Sequence, residues 1–155
     1  VSQLIVLQCD ADFNCTPFNV NRATLEGVTL GADVRADNGM MLGVSLDLGS
    51  PEDDLTGKLL PRRARQHGAV TAGMPWGPVR LGVELVASSL RYDDPANLVK
   101  MGGYAIVNLT AEWALPHDVT LFVRADNVFD KNYELAAGYA TGGAQVFGGV
   151  RVSLR

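Results

Sequence analysis

The sequence predicts an all-β fold, an antiparallel barrel with an apolar outer face and a polar inner one. Three observations lead there. Short runs alternate apolar and polar residues, the connections between them are alternately short and long, and no long helical pattern or extended apolar run interrupts them. Successive strand side chains point to opposite faces, so each such run has one greasy side and one wet side.

About eight strands follow in order. Residues 4–8 form a short first run, and 21–35 a second, with Val28, Leu30, Ala32 and Val34 on one face. Asp37-Asn38-Gly39 is a hairpin signal. Residues 40–49 put Met40, Leu42, Val44, Leu46 and Leu48 opposite Met41, Gly43, Ser45 and Asp47. The polar stretch 50–65 predicts a long loop, and 67–74 a weaker strand. Pro75-Trp76-Gly77-Pro78 predicts a turn. Residues 79–91 alternate again, with Val79, Leu81, Val83, Leu85 and Ala87 on one side. A loop over 92–103 leads to a strand over 104–113, a turn at 115–118, and a strand over 118–126. A long loop, 127–144, precedes the last strand, 145–155.

The turns at 37–39, 75–78 and 115–118 are short, and the connections at 9–20, 50–65, 92–103 and 127–144 are long. Outer-membrane barrels pair short periplasmic turns with long extracellular loops in this way. Trp76 and Trp113 fall at the short-turn end, where an interfacial aromatic girdle would lie. A spanning strand needs only about 9–11 residues, half of them polar. A soluble sandwich or lipocalin-like barrel also alternates, but does not call for this loop asymmetry. Asp47, Arg80, Glu84, Glu112, Arg124 and Arg151 share the inward phase. That many charges fit a wet lumen, or mutual pairing inside it, and not a dry core.

Net charge is −4, which gives nucleic-acid binding no electrostatic support. His67 and His117 are isolated, and no nucleophile–base arrangement appears, so the chain is not expected to be an enzyme. Cys9 and Cys15 lie close together in C-D-A-D-F-N-C, and this spacing predicts a disulfide formed in an oxidising compartment. The loop between them lacks the Gly and distal Glu of a calcium-binding EF-hand, so no metal site is expected. The chain starts at Val1 with no signal-peptide pattern, and the expectation is a removed leader or a piece of a longer protein.

Several segments resemble TonB-dependent outer-membrane receptors, and within them the cobalamin (vitamin B12) transporter family. They are N-R-A-T-L-E-G-V (21–28), L-L-P-R-R-A-R-Q (59–66), R-Y-D (91–93), K-M-G-G-Y (100–104), N-V-F-D-K-N-Y-E (127–134) and G-Y-A-T-G-G (138–143). N-V-F-D-K-N-Y-E marks the wider superfamily; R-R-A and K-M-G-G point to the cobalamin branch. The resemblance implies that residues 1–155 are the C-terminal part of a receptor barrel of roughly 22 strands, of which the last eight are present. The plug, the TonB-contacting segment and the calcium-binding loops would lie outside this chain. It implies residence in the bacterial outer membrane and uptake of cobalamin or a related metal chelate, with no cofactor. The partners would be membrane lipid, the rest of the receptor, and TonB through the plug. One ligand contact carries over: the first arginine of R-R-A, Arg62, whose guanidinium fork suits amide or phosphate oxygens. The family's tyrosine contact after R-Y-D has no counterpart, because 93–101 is shorter than the family loop. The family's Gly-Arg before the last strand is replaced by Gly142-Gly143-Ala144, and the chain ends on Arg155 instead of an aromatic residue. Two alternatives stand beside cobalamin uptake: a stand-alone small structural barrel, and a receptor for a siderophore or other metal chelate. A sheet that closes on itself would favour the small barrel.

Overall fold

The structure, a computed structural model, describes residues 2–10 and 14–153; for residues 2–4, 6–9 and 19–21 only the backbone is described. In chain order the strands are β1 (Ser2–Cys9), β2 (Cys15–Arg35), β3 (Met41–Asp53), β4 (Gln66–Trp76), β5 (Val79–Ser88), β6 (Arg91–Tyr92), β7 (Lys100–Met101), β8 (Tyr104–Leu115), β9 (Val119–Asp126), β10 (Glu134–Ala136), β11 (Tyr139–Ala140) and β12 (Gln145–Val152). Eight of them form one antiparallel sheet in the order β1-β2-β3-β4-β5-β8-β9-β12. Each strand pairs with its neighbour in the chain once the short ladders β6–β7 and β10–β11 are set aside in their loops.

The register lines up the predicted apolar faces. Val34, Leu42, Ala72, Val83, Leu109 and Ala125 form one continuous row across six strands. At the short-turn end Trp76, Val79, Trp113 and Leu121 form another. Most of these side chains stay exposed and the rest are half-buried: Val83 is 41% and Trp76 72% accessible. An apolar sheet face this broad, flanked by two tryptophans on one rim, is the outer surface of a membrane barrel. On β2 and β3 the outward phase turns polar above Val28 and Leu48, at Glu26, Thr24, Ser50 and Glu52. The greasy band ends there, while both strands continue.

The opposite face carries the predicted inward charges, and most are paired. Asn108 Nδ2 donates to Glu84 at 2.8 Å, and Arg124 Nε sits 2.6 Å from Asp126. Arg151 lies 3.6 Å from Glu112 and stacks over the Phe122 ring at 5.8 Å. Arg80 faces Glu112 in the register.

One expectation changes, and one alternative falls. The 9–20 connection is not a long loop. β1 and β2 run on as a two-stranded ribbon, from Ser2 opposite Arg22 up to Cys9 opposite Cys15, and only residues 10–14 connect them. Pro17 is tolerated because β2 meets β3 only from Ala23 onwards, so one side of the ribbon needs no ladder hydrogen bond. The side chain of Cys9 lies outside the described residues, and the predicted disulfide with it. The sheet also does not close: among the described residues β1 and β12 each have a single partner and do not pair with one another. A self-sealed eight-stranded barrel is therefore not what this chain forms, and its two edges carry backbone groups that lipid cannot satisfy.

Candidate functional site

The buried part of the molecule lies at the long-loop end, above the sheet. Ala23, Leu60 and Met101 are almost fully covered, as are Arg91 and Asn127. Three long connections, 54–65, 89–103 and 127–144, fold onto one another there. Their interlocking positions every candidate side chain.

The first contact joins 54–65 to 93–99. Asn97 takes a left-handed conformation at φ 57°, which asparagine tolerates. Its amide then accepts from Leu59 N and donates to Leu59 O, both at 2.9 Å, as a strand partner would. Lys58 Nζ donates to Ala96 O at 3.0 Å. The Asp94 carboxylate accepts from Leu98 N and Val99 N, which curls the segment into a tight turn. This turn is what the 93–101 segment builds.

Arg62 sits at the junction, also left-handed at φ 59°. Its backbone N donates to Tyr92 O at 2.6 Å. Its Nε donates to Asp93 Oδ1 at 2.6 Å and its Nη2 to Asp93 Oδ2 at 3.3 Å, a two-pronged pair. The hydrogen bond to Asp93 raises the Arg62 pKa most; burial opposes it, and the Asp93 charge adds a smaller upward push. Tyr139, from the last loop, lies near enough to push in the same direction. Arg62 and Asp93 thus meet from two loops, and Tyr139 of the third acts on the Arg62 charge through space. The sequence singled out only Arg62; nothing local in Asp93 or Tyr139 signals contacts between residues so far apart in the chain.

The last loop is anchored by N-V-F-D-K-N-Y-E. Asn127 takes φ 50° and closes a ring on itself: Oδ1 accepts from Lys131 N at 2.9 Å and Nδ2 donates to Lys131 O at 3.0 Å. Its own N–H donates to Asn108 Oδ1 on β8 at 2.9 Å. Asp130 accepts from Ala144 N at 2.9 Å, tying the loop's two ends together. Tyr133 stacks on Tyr104 at 4.2 Å between ring centres, and Arg91 lies over the Tyr104 ring at 5.3 Å while donating to Glu134 O. The chemistry available is hydrogen bonding and charge. Among the described residues no group of His, Cys, Asp and Glu is arranged to hold a metal ion.

Comparison with known proteins bears on this arrangement. The family described as TonB dependent receptor-like, beta-barrel matches residues 1–128. The vitamin B12 transporter BtuB of Photobacterium profundum is 29% identical over 118 residues, which cover 76% of this chain and 19% of that protein. The chain thus spans about a fifth of that relative. Among solved structures, the copper transporter OprC superposes with a TM-score of 0.76 at 18% identity, covering 96% of this chain and 25% of that one. The siderophore receptor PiuA from Acinetobacter baumannii gives 0.71 at 21% identity, covering 96% and 23%. The ferric yersiniabactin uptake receptor FyuA from Yersinia pestis gives 0.67 at 21% identity, covering 83% and 22%. These likenesses establish a shared barrel fold.

Proposed function

Because the chain belongs to the TonB dependent receptor-like β-barrel family, a family of the bacterial outer membrane, we propose that it forms the closing wall and three ligand-gripping loops of an uptake receptor for cobalamin. The observation that carries this reading is the convergence of loops 54–65, 89–103 and 127–144 around Arg62, at the end of the sheet away from the tryptophan rim. Further strands would satisfy the open edges of β1 and β12 and complete the barrel. A plug inside that barrel would connect it to TonB, and membrane lipid would cover the apolar face. The cobalamin assignment is supported by the named relative and by the R-R-A and K-M-G-G segments.

Arg62 is the proposed ligand contact. Asp93 occupies Nε and one Nη2 hydrogen, which leaves Nη1 and the other Nη2 hydrogen to donate to an amide or phosphate oxygen. In this role Asp93 holds the guanidinium plane still. Arg62→Ala in the full-length receptor is expected to weaken cyanocobalamin binding roughly 10- to 100-fold, the worth of one charge-assisted hydrogen bond of about 1.5–3 kcal/mol. Equilibrium binding on detergent-purified receptor measures this; an unchanged Kd removes Arg62 from the site, and a wild-type receptor that ignores cyanocobalamin removes the cobalamin assignment. A siderophore or other metal chelate is the second reading. The compact 93–99 turn favours it, since it offers no tyrosine where the cobalamin branch has one.

Cys9 and Cys15 are proposed to form a disulfide. They are register partners next to the Asp10–Asn14 hydrogen-bonded pair, which makes theirs the closer, non-hydrogen-bonded type of pair. Alkylation of the denatured, unreduced protein should add no label at either residue, and alkylation after reduction should add two. Two labels without reduction would reject the bridge.

A further inference from the structure

A recess of about 540 Å³ opens on the lumen face where residues 63–65 run beside the upper part of β3. Its floor is the register pair Gly27 and Gly49. A Cβ on Gly27 would come within 2.5 Å of Leu48 O, so this position stays free of a side chain and the floor stays bare backbone. Bare backbone lets a bound molecule come close and lie flat. Leu25 adds an apolar wall.

The polar groups below the floor are already engaged. Thr29 Oγ1 donates to Asp47 at 2.7 Å, and His67 Nδ1 stands 3.8 Å from the other Asp47 oxygen. Beside the floor the chain is fastened by Gly49 N, which donates to Arg65 O at 2.8 Å. Three arginines lie in this stretch, and their situations differ. Arg62 is taken by Asp93, and Arg65 is taken by Glu52 at 2.6 Å. Arg63 lines the recess, is exposed, and among the described residues has no carboxylate within ion-pair distance.

An unpaired guanidinium lining a recess with a bare backbone floor presents donors and has no acceptor. We infer that Arg63 is a ligand-binding residue in its own right, donating to amide or phosphate oxygens on the edge of a chelate that rests on the Gly27–Gly49 floor. The ligand class is a large, flat metal chelate with acceptor groups on its periphery. This rests on the uptake-receptor reading above. It adds a second arginine that approaches the ligand from the lumen side, independently of the Asp93-held Arg62.

The test uses the full-length receptor in detergent, with cyanocobalamin and a ferric hydroxamate siderophore as probes. Arg63→Ala should raise the Kd of the bound chelate at least tenfold, and Arg63→Lys should fall between it and wild type. Arg65→Ala, whose partner is Glu52, should stay within twofold. Heat-modifiable gel mobility checks that each barrel is folded, and Arg63→Gln replaces Arg63→Ala if the latter does not fold. An unchanged Kd in Arg63→Ala overturns the inference, as would equal losses in Arg63→Ala and Arg65→Ala, which would mean general charge attraction instead of a contact. If wild type binds the siderophore and not cyanocobalamin, the cobalamin assignment falls, and Arg63 is judged by the same Kd comparison on the siderophore. A wild-type receptor that binds neither overturns both.

Discussion

Val83→Arg is expected to leave the receptor unassembled. Val83 is the midpoint of the outward run from Val79 to Ala87 and lies in the apolar row that crosses six strands. Its neighbours in that row are Ala72 and Leu109, which offer a guanidinium no acceptor. Charge at the bilayer midplane costs a barrel roughly 2–4 kcal/mol, falling toward the interfaces. Ser45→Lys provides the contrast. Ser45 is on the inward phase opposite Gly31 and Ala69, where water or a polar plug can solvate an ammonium. Heat-modifiable mobility of the full-length protein in outer-membrane fractions reads both. Loss of the folded band in Val83→Arg and retention in Ser45→Lys are expected; the reverse order would mean that the two faces have been assigned the wrong way round.

The second large effect is at Asn127. Asn127→Ala removes both bonds to the Lys131 backbone and places alanine at φ 50°. Losing these two part-buried hydrogen bonds costs about 1–2 kcal/mol, and the left-handed conformation adds roughly 1–2 kcal/mol for a residue with a Cβ and no local hydrogen bond. A total of about 3 kcal/mol corresponds to roughly 100-fold more frequent opening of 127–144. Hydrogen exchange on the folded receptor reports this opening directly. Asn127→Asp should recover part of it, since a carboxylate still accepts from Lys131 N. Asn127→Gly should relieve only the backbone conformation. Protection in 127–144 that is unchanged by alanine would mean the loop is held by Asp130 and the Tyr133–Tyr104 stack without Asn127.

The sheet was legible in the sequence because its signal is local. A strand facing lipid must alternate, and the alternation in residues 79–87 or 145–152 is visible without knowing its partners. The site was much less legible. N-V-F-D-K-N-Y-E could be recognised as a family mark, yet only the structure explains it, through an asparagine that closes its own loop and a backbone carbonyl at Glu134 that receives Arg91. The ladders β6–β7 and β10–β11 escaped notice because runs of two or three residues have no measurable period. The Arg62–Asp93 pair joins residues on separate loops, so neither position carries a local sign of it. The length of β2 was missed because Pro17 looks like a strand breaker unless it is known that one edge of the ribbon is free.

That ribbon has a mechanical consequence. Cys15 lies 13 residues beyond Val28, where the unbroken outward apolar run of β2 ends. At about 3.3 Å per residue the strand therefore runs on for roughly 40 Å beyond that point. For the upper part of that length, among the described residues, it is a cantilever of two strands with no third to brace it, and such a ribbon is marginal alone in water. Bending by solvent or by a docking antibody acts with the longest lever arm at the tip, where Cys9 faces Cys15. A covalent tie at that level would stop the two strands from shearing past each other, so that the mast flexes as one beam from its root beside Ala23.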